Sequence, residues 1–411
     1  MKVLVFSPYF TPEIAASMYL FEDIYRCVAE RGHTVELYVP TPTRGIDQET
    51  RRIYKKRKTE VRHEGKMVIR RIAMYREGKN AVLRAIRYFL VNIACIWKGL
   101  KTSGDVIFAP STPPTQGMMI NIIGALKHIP TVYNVQDVFP DSMVNSGMTH
   151  KGSILWKIGR KIENYSYSHA KHIIVISDDF KNNLLEKKVP DEKITVIPNW
   201  ADLSGICPIP REENKLISRF QLDPSCFYVT YSGNIGLSQN MDLLLEAAKI
   251  LEHEIIELRF LIIGDGADKE RIQARVTDEA IKNVIMLPFQ PYEDIAHVFS
   301  LGDIGLIISK PGIGGSSVPS KTFNILAASC PILASFDKQS ELCKLLEKYH
   351  FGMIAEADSL DQFLSGIRYL YGNSEIRIQL GQNGRQYVSD NLGFEKPANQ
   401  YVDVLENNAK K

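Results

Sequence analysis

The feature that most constrains this chain is an alternation that runs through it twice: a short, mostly apolar segment, a turn, a helical pattern, and another apolar segment. In the first run the strand candidates are Val3–Phe6, Val35–Val39, Val106–Ala109, Thr131–Val135, Ile173–Ile176 and Ile194–Ile197. Continuous apolar runs, rather than alternating ones, suit strands whose sheet is covered on both faces. The helical patterns between most of them supply that cover. From about Ala16 to Glu30, Leu20, Ile24, Cys27 and Val28 share one helix face, and Gly32-His33-Thr34 stops the pattern. The expected architecture is α/β, with a doubly wound parallel sheet.

Pro198-Asn199-Trp200 ends the first run, and Gly205–Glu213, with Pro208 and Pro210, has linker chemistry. The second run offers strands at Tyr228–Tyr231, Arg259–Ile263, Val284–Leu287, Ile304–Ile308 and Ile332–Ala334, and helical stretches at Ser374–Asp390 and Glu395–Asn407 close the chain. A length of 411 residues suits two domains of roughly 150–200 residues better than one. The expected layout is an N-terminal Rossmann-like domain, 1–204, facing a C-terminal one, 205–390, across a cleft. A last helix, 391–411, is expected to pack back on the first domain.

In open parallel sheets, ligands sit beyond the carboxyl ends of strands. Three loops there stand out. Tyr231-Ser232-Gly233-Asn234-Ile235-Gly236 frees backbone N–H groups for an anion, although an ordinary turn with a serine cap would read the same. Lys310 and Lys321 bracket a loop holding Gly312, Gly314, Gly315, Ser316 and Ser317, and Lys321 and Asn324 share a helix face. So many glycines before a helix are costly unless the backbone must approach something, and the two lysines carry the charge that a diphosphate needs. Gln136-Asp137-Val138-Phe139-Pro140-Asp141 places carboxylates and an amide after a strand, with an Asx turn as the plainer reading of Asp141.

Other chemistries are disfavoured. No D-x-D and no metal-spaced cluster occurs, so neither a metal nor any other cofactor is expected. The first βα loop, Ser7–Ala16, has no glycine, which argues against a dehydrogenase. The six cysteines are scattered without paired spacing and read as reduced thiols of a cytoplasmic protein. The opening Met1-Lys2-Val3-Leu4-Val5-Phe6 has too short an apolar run for a signal peptide.

Taken in order, the landmarks Pro8-Tyr9-Phe10-Thr11-Pro12-Glu13, Gly32-His33-Thr34-Val35, Gln136-Asp137-Val138-Phe139-Pro140-Asp141, Val196-Ile197-Pro198-Asn199-Trp200-Ala201-Asp202, Tyr231-Ser232-Gly233-Asn234, Ile263-Gly264-Asp265-Gly266 and Val318-Pro319-Ser320-Lys321-Thr322-Phe323-Asn324 resemble glycosyltransferase family 4, the retaining GT-B family. The likeness extends over almost the whole chain and is nearest to the bacterial O-antigen and capsule branch, including fucosamine-type transferases. It implies a transferase that takes a nucleotide-diphosphate sugar to a lipid-linked saccharide. Gly233 and Asn234 would face the diphosphate. Phe289 and Gln290 would hold the base. Lys310, Gly314, Gly315, Ser316, Ser317, Lys321 and Asn324 would line the donor, and Pro12, Glu13, Ala16 and Ser17 the donor phosphate and acceptor. Departures are visible: Asn234 and Gln239 or Asn240 stand where the family commonly has Arg and Lys, Ser316 and Asn324 where it often has glutamates, and Gln136 near a common histidine. Front-face displacement is the implied mechanism. Lys321, Lys310 and the N–H groups of Gly314–Ser317 would stabilise the leaving diphosphate. Gln136 and Asp137 would orient the reactants, or Asp137 would act as a base. A nucleotide-sugar epimerase of the same fold and an inactive subunit of an assembly complex are the alternatives.

Charge is uneven. Residues 51–101 hold 16 Lys+Arg against three acids, so the remaining residues carry 34 against 44. The stretch Asn80–Leu100, with Arg84, Arg87 and Lys98, is too interrupted to span a bilayer and suits a helix lying on an anionic membrane. A solvated basic face is the plainer reading. No RNA- or DNA-binding motif accompanies the block, so nucleic acid is not expected. The expected location is the cytoplasm, peripheral at the inner face of the plasma membrane.

Overall fold

A computed structural model of the chain describes residues 1–13, 18–76, 81–145, 149–200, 203, 205–313 and 319–410. They form two compact units. The first takes in Met1–Val144, Thr149–Asn199 and the chain from Phe394, and the second runs Trp200–Gly393.

In unit 1 the elements run β1 (Lys2–Phe6), α1 (Met18–Glu30), β2 (Thr34–Pro40), α2 (Gln48–Lys56), β3 (Thr59–Arg62), β4 (Met67–Ile72), α3 (Ala81–Leu100), β5 (Val106–Pro110), α4 (Gln116–Lys127), β6 (Thr131–Val135), α5 (Asp141–Asn145), α6 (Ile154–His169), β7 (His172–Val175), α7 (Asp178–Glu186) and β8 (Ile194–Val196). The sheet order is β3-β4-β2-β1-β5-β6-β7-β8, parallel except for β3 against β4. Every residue of β5 and β6 is buried, as a sheet covered on both faces requires.

Unit 2 contains α8 (Lys215–Arg219), β9 (Phe227–Asn234), α9 (Met241–Glu254), β10 (Leu258–Asp265), α10 (Lys269–Asp278), β11 (Val284–Leu287), α11 (Ile295–Phe299), β12 (Ile304–Ile308), α12 (Lys321–Ala327), β13 (Ile332–Phe336), α13 (Glu341–Tyr349), β14 (Gly352–Glu356), α14 (Leu360–Gly372) and α15 (Ser374–Asn391). Its strands are all parallel in the order β11-β10-β9-β12-β13-β14. The order therefore reverses between β1 and β5 in one unit and between β9 and β12 in the other, which makes those carboxyl edges the natural ligand positions.

The chain returns to unit 1 through α16 (Glu395–Asn408). This helix lies on α1, where Tyr401 meets Phe108 edge-on at 6.1 Å and Arg26 sits 4.5 Å over the Phe394 ring. Tyr401, Val402 and Leu405 are buried there, each contributing roughly 1.5–3 kcal/mol.

The basic block differs from its sequence reading. Residues 59–72 form the β3–β4 pair, and Met67 and Ile69 are fully buried core positions. Three of its arginines are spent inside the unit: Arg62 on Glu22 and Glu60, Arg70 on Glu36, and Arg71 on the Thr11 carbonyl with Glu60 at 3.8 Å. Arg87, expected to face a membrane, is fully buried and donates through Nε to the Tyr75 carbonyl. β14, α13 and α14 also lay outside the sequence reading. Half-buried Gly352, Met353 and Ile354 give an edge strand too weak an apolar signal to find.

β9 and β10 pair over eight residues, down to Gly233 opposite Gly264 and Asn234 opposite Asp265. A Cβ at Gly264 would stand 1.9 Å from the Gly233 carbonyl oxygen, so only glycine lets the two strand ends close. Gly264→Ala is expected to lower unfolding free energy by about 2 kcal/mol or more. Gly372→Ala, where a Cβ meets nothing within 4 Å, should lie within about 0.5 kcal/mol of wild type in the same denaturant titration.

Candidate functional site

In unit 2 the loops leaving β9, β10, β12 and β13 are laced together at the sheet's carboxyl edge. Ile235 N donates to Asp265 O at 2.8 Å and Asp268 N to Ile235 O at 3.0 Å. Lys310 N reaches Ser238 O at 2.9 Å, and Gly312 N reaches Asp337 Oδ1 at 3.0 Å. Gly233 has φ +136°, a backbone setting that other side chains rarely take, and it presents an open backbone at the strand end.

Over that glycine lies Lys321, the first residue of α12. Its Nζ sits 3.6 Å from the centre of the Tyr231 ring and 3.5 Å from where a Gly233 Cβ would be. The residue as a whole is half-buried, but Nζ itself is sealed from solvent and has no hydrogen-bond partner among the described residues. Thr322 Oγ1, Asn324 Oδ1 and Ser309 Oγ are likewise buried and unpaired there. Burial alone brings the Lys321 pKa down to about 7. A sealed, unpaired amine over a glycine-opened strand end is a group that a polar ligand would satisfy.

The remaining donor candidates divide. Lys310 is exposed beside the Ser238 loop, and Asn234 is exposed at the end of β9 with its carbonyl accepting from Tyr231 Oη at 2.6 Å. Phe289 is 58% exposed after β11, two strands or roughly 10 Å from β9. Gln290 is a correction: its side chain is buried, donating to Pro288 O and accepting from Arg219, which itself pairs with Asp294. Gly314, Gly315, Ser316 and Ser317 lie outside the described residues, as do Ala16 and Ser17 in unit 1.

In unit 1 the corresponding edge carries a second cluster. Glu13, expected on the acceptor side, is 3% exposed, and its Oε1 accepts from Thr43 N at 2.7 Å and Arg44 N at 3.1 Å. It fastens two loops together rather than facing solvent, while Pro12 beside it is half-buried. Burial raises the Glu13 pKa, opposed by the Thr43 and Arg44 N–H groups and the Arg87 charge. Gln136 is held in a reciprocal amide pair. Its Nε2 donates to Asn199 Oδ1 and Asn134 Oδ1, both at 3.2 Å, and its Oε1 accepts from Asn199 Nδ2 at 2.9 Å. The Tyr401 hydroxyl of α16 faces the Asn134 and Gln136 amides. Both Gln136 N–H groups are therefore spent, and the side chain can only accept. Ser111 Oγ accepts from the backbone N–H of Gln136 and Asp137, fixing the loop.

Asp137 is exposed, with Ser142 Oγ donating to Oδ2 at 3.0 Å. Dense packing at its base pushes its pKa upward, against Ser142 and the Val138 N–H. Asp141 is a structural ion-pair residue. Burial would raise its pKa, but Lys187 at 2.7 Å and Arg160 at 2.6 Å outweigh it and hold the carboxyl low. Sequence reasoning had no signal for Tyr231 under Lys321, nor for Asn199 and Tyr401 around Gln136, because the three-dimensional fold alone brings them together.

A third surface belongs to α3. Leu83, Ile86, Leu90, Ile93, Trp97 and Leu100 recur at steps of three and four and are all exposed, with Phe89 beside them at 65%. Lys101 lies 3.7 Å over the Trp97 ring, Arg84 and Lys98 are exposed, and no acid occurs between Ala81 and Lys101. Among the described residues no helix is long and apolar enough to cross a membrane, and no group of three or more His, Cys, Asp or Glu could hold a metal ion.

Residues 20–204 match the model of Glycosyltransferase Family 4, and residues 213–387 that of Glycosyl transferases group 1. Among similar proteins is one of Escherichia coli (strain K12) named "Putative colanic acid biosynthesis glycosyl transferase WcaI", 25% identical over 98% of this chain and all of that one. Among solved structures, Anabaena Alr3699/HepE in complex with UDP aligns with a TM-score of 0.72 at 14% identity, over 99% of this chain and 100% of that one. WaaG, a glycosyltransferase involved in lipopolysaccharide biosynthesis, aligns with 0.70 at 13%, over 98% and 99%.

The sealed amine has a thermodynamic signature. An unfolded Lys321 keeps its proton up to about pH 10.5, whereas the folded one releases it near 7, so between those values the unfolded chain holds the extra proton and stability rises with pH. Lys321→Met removes this dependence. The variant should be the more stable form at pH 7 and below, by on the order of a few kcal/mol, with its advantage shrinking toward pH 10. Urea unfolding of both proteins across pH 6–10 checks this.

Proposed function

Since the chain belongs to the GT-B glycosyltransferases, the two family models together covering most of its length, we propose that it moves a sugar, with retention, from a nucleotide-diphosphate donor to a lipid-linked saccharide in cell-surface polysaccharide synthesis. The sealed, unpaired Lys321 Nζ at the β9/β12 edge carries this reading. An amine held there without an acceptor is complementary to a diphosphate oxygen. Support comes from HepE, solved with UDP on the same fold, and from the polysaccharide roles in the names of WcaI and WaaG. A deoxy or N-acetylated amino sugar is the donor class suggested by the family branch.

In this reading unit 2 holds the donor. Gly233 and Asn234 offer backbone to the diphosphate, Phe289 stacks on the base, and Lys321 and Lys310 neutralise charge as the sugar–phosphate bond breaks. Gly314, Gly315, Ser316 and Ser317 complete that lining. Asn324 faces the sugar. The acceptor hydroxyl gives its proton to the departing phosphate oxygen, and no metal takes part. Unit 1 serves the acceptor: the loop from Pro12 to Ser17 borders it, Gln136 accepts one hydroxyl, and Asp137 orients the nucleophile.

A lipid-linked acceptor is met at a membrane, and α3 suits an anionic one. Its exposed apolar stripe can enter the interface while Arg84, Lys98 and Lys101 contribute about 1 kcal/mol each at the lipid surface. The protein would then work at the inner face of the plasma membrane.

Calorimetric titration with UDP in the presence of EDTA should give saturable binding, and Lys321→Ala should weaken it by about 2 kcal/mol, or roughly thirty-fold. Equal affinity in the variant places the diphosphate elsewhere. Wild-type protein should also sediment with anionic vesicles at low salt and detach as salt rises. The triple variant Arg84→Glu, Trp97→Glu, Lys98→Glu should stay in the supernatant with UDP affinity unchanged. Wild-type indifference to anionic vesicles removes the membrane role.

A further inference from the structure

Around the Lys321 amine every packed element can be checked for a counter-charge. From β9 come Tyr231, whose hydroxyl is committed to Asn234 O and whose own ionisation burial pushes up, and the neutral Asn234. From α12 itself come Thr322 and Asn324, both uncharged. The end of β10 carries Asp265, which is exposed and 3.9 Å from Lys269. The loop after β12 carries Lys310, itself a cation and exposed. The loop after β13 carries Asp337, which takes the Gly312 N–H. On α15, Arg385 donates to Ile206 O and Ala327 O. Among the described residues no carboxylate comes within ion-pair distance of Nζ.

An ammonium in that place would bury three N–H donors and a full charge with nothing to receive them, which is strongly unfavourable. The Tyr231 face beneath it, 3.6 Å away, can offset part of that cost but offers no hydrogen-bond acceptor in the plane of the missing partners. The balance favours a neutral amine in the empty protein. The same amine becomes worth charging once an anionic oxygen is set against it, because the ligand then supplies both the counter-charge and the hydrogen-bond acceptor.

We propose that Lys321 is a specificity-determining residue that is an uncharged amine in the empty protein and turns into an ammonium only against an anionic oxygen of the ligand, so that each diphosphate enters together with one proton from solvent. The proposal rests on the reading that unit 2 holds the donor diphosphate. The step balances as amine plus proton plus diphosphate giving an ammonium–diphosphate pair, with no other bond made or broken. It also makes Lys321 a filter. A neutral nucleoside offers nothing to offset the charging, so the amine stays uncharged and the site gives that ligand no electrostatic hold.

The test is calorimetric titration with UDP at pH 8 in buffers of different ionisation enthalpy, repeated from pH 7.5 to 9.5, with inorganic pyrophosphate as a second probe. Wild type should take up about one proton per ligand, and its Kd for UDP should rise about tenfold per pH unit, since each unit removes a tenfold share of the required proton. Lys321→Met should bind more weakly, without buffer-dependent heat and without that slope. In the ligand-free protein labelled with 13C-lysine, one side-chain signal should titrate near neutrality and be missing in Lys321→Met. Saturable UDP binding without proton uptake overturns the proposal and leaves the donor site standing. Unchanged affinity and uptake in Lys321→Met, or no binding of either probe, overturns both. A ligand-free titration in which every lysine keeps its proton above pH 9 overturns the proposal independently of any ligand.

Discussion

A parallel strand cannot be joined to its neighbour by a tight turn, and this constraint shapes both units. Each connection must cross the sheet, most often through a helix, so the loops that leave the strands gather at one edge and those that enter them at the other. At the exit edge the peptide backbone runs out of ladder partners just where the chain order reverses, between β1 and β5 and between β9 and β12. Polar side chains brought there are close enough to act together although they are distant in sequence. Gly233, Tyr231 and Lys321 meet for this reason, and so do Ser111, Gln136 and Asn199.

The same constraint decides what could be read from the sequence. Strands buried on both faces announce themselves as apolar runs, and β1, β2, β5, β6, β9, β10 and β12 were legible on that ground. β4 was not, because Arg70 and Arg71 sit among its buried positions and look like part of a basic tract until Glu36 and Glu60 are seen beside them. Lys321 was legible through the glycine-rich loop before it, but its isolation from solvent was not, since Tyr231 lies ninety residues earlier. Glu13 and Gln290 misled for the opposite reason. A polar residue in a loop at a strand's end looks available, and only the fold shows its hydrogen bonds already given to Thr43 and Arg44, or to Pro288 and Arg219.

Charge is sorted by depth rather than by sequence. Along 51–101 the cations nearest the sheet are neutralised by buried or half-buried carboxylates, and those on α2 and on the outer side of α3 stay in solvent. Arg84 and Arg87 illustrate this: three residues apart on one helix, one is exposed and the other lies in the interior. A net count over the segment therefore overstates the surface potential, and the apolar residues exposed on α3 say more about that face than the number of lysines and arginines.

The return of α16 to unit 1 has a consequence for biosynthesis. Phe108 and the outer face of α1 are covered by Tyr401 and its neighbours, which a ribosome adds only after all of unit 2. At about 5–20 residues per second the roughly 200 residues in between take on the order of ten to forty seconds. For that interval the nascent first unit has an uncovered apolar groove while the second is being made and closed. The unit begun first is thus the one finished last, and a truncated or stalled chain carries an exposed α1 face that marks it as incomplete.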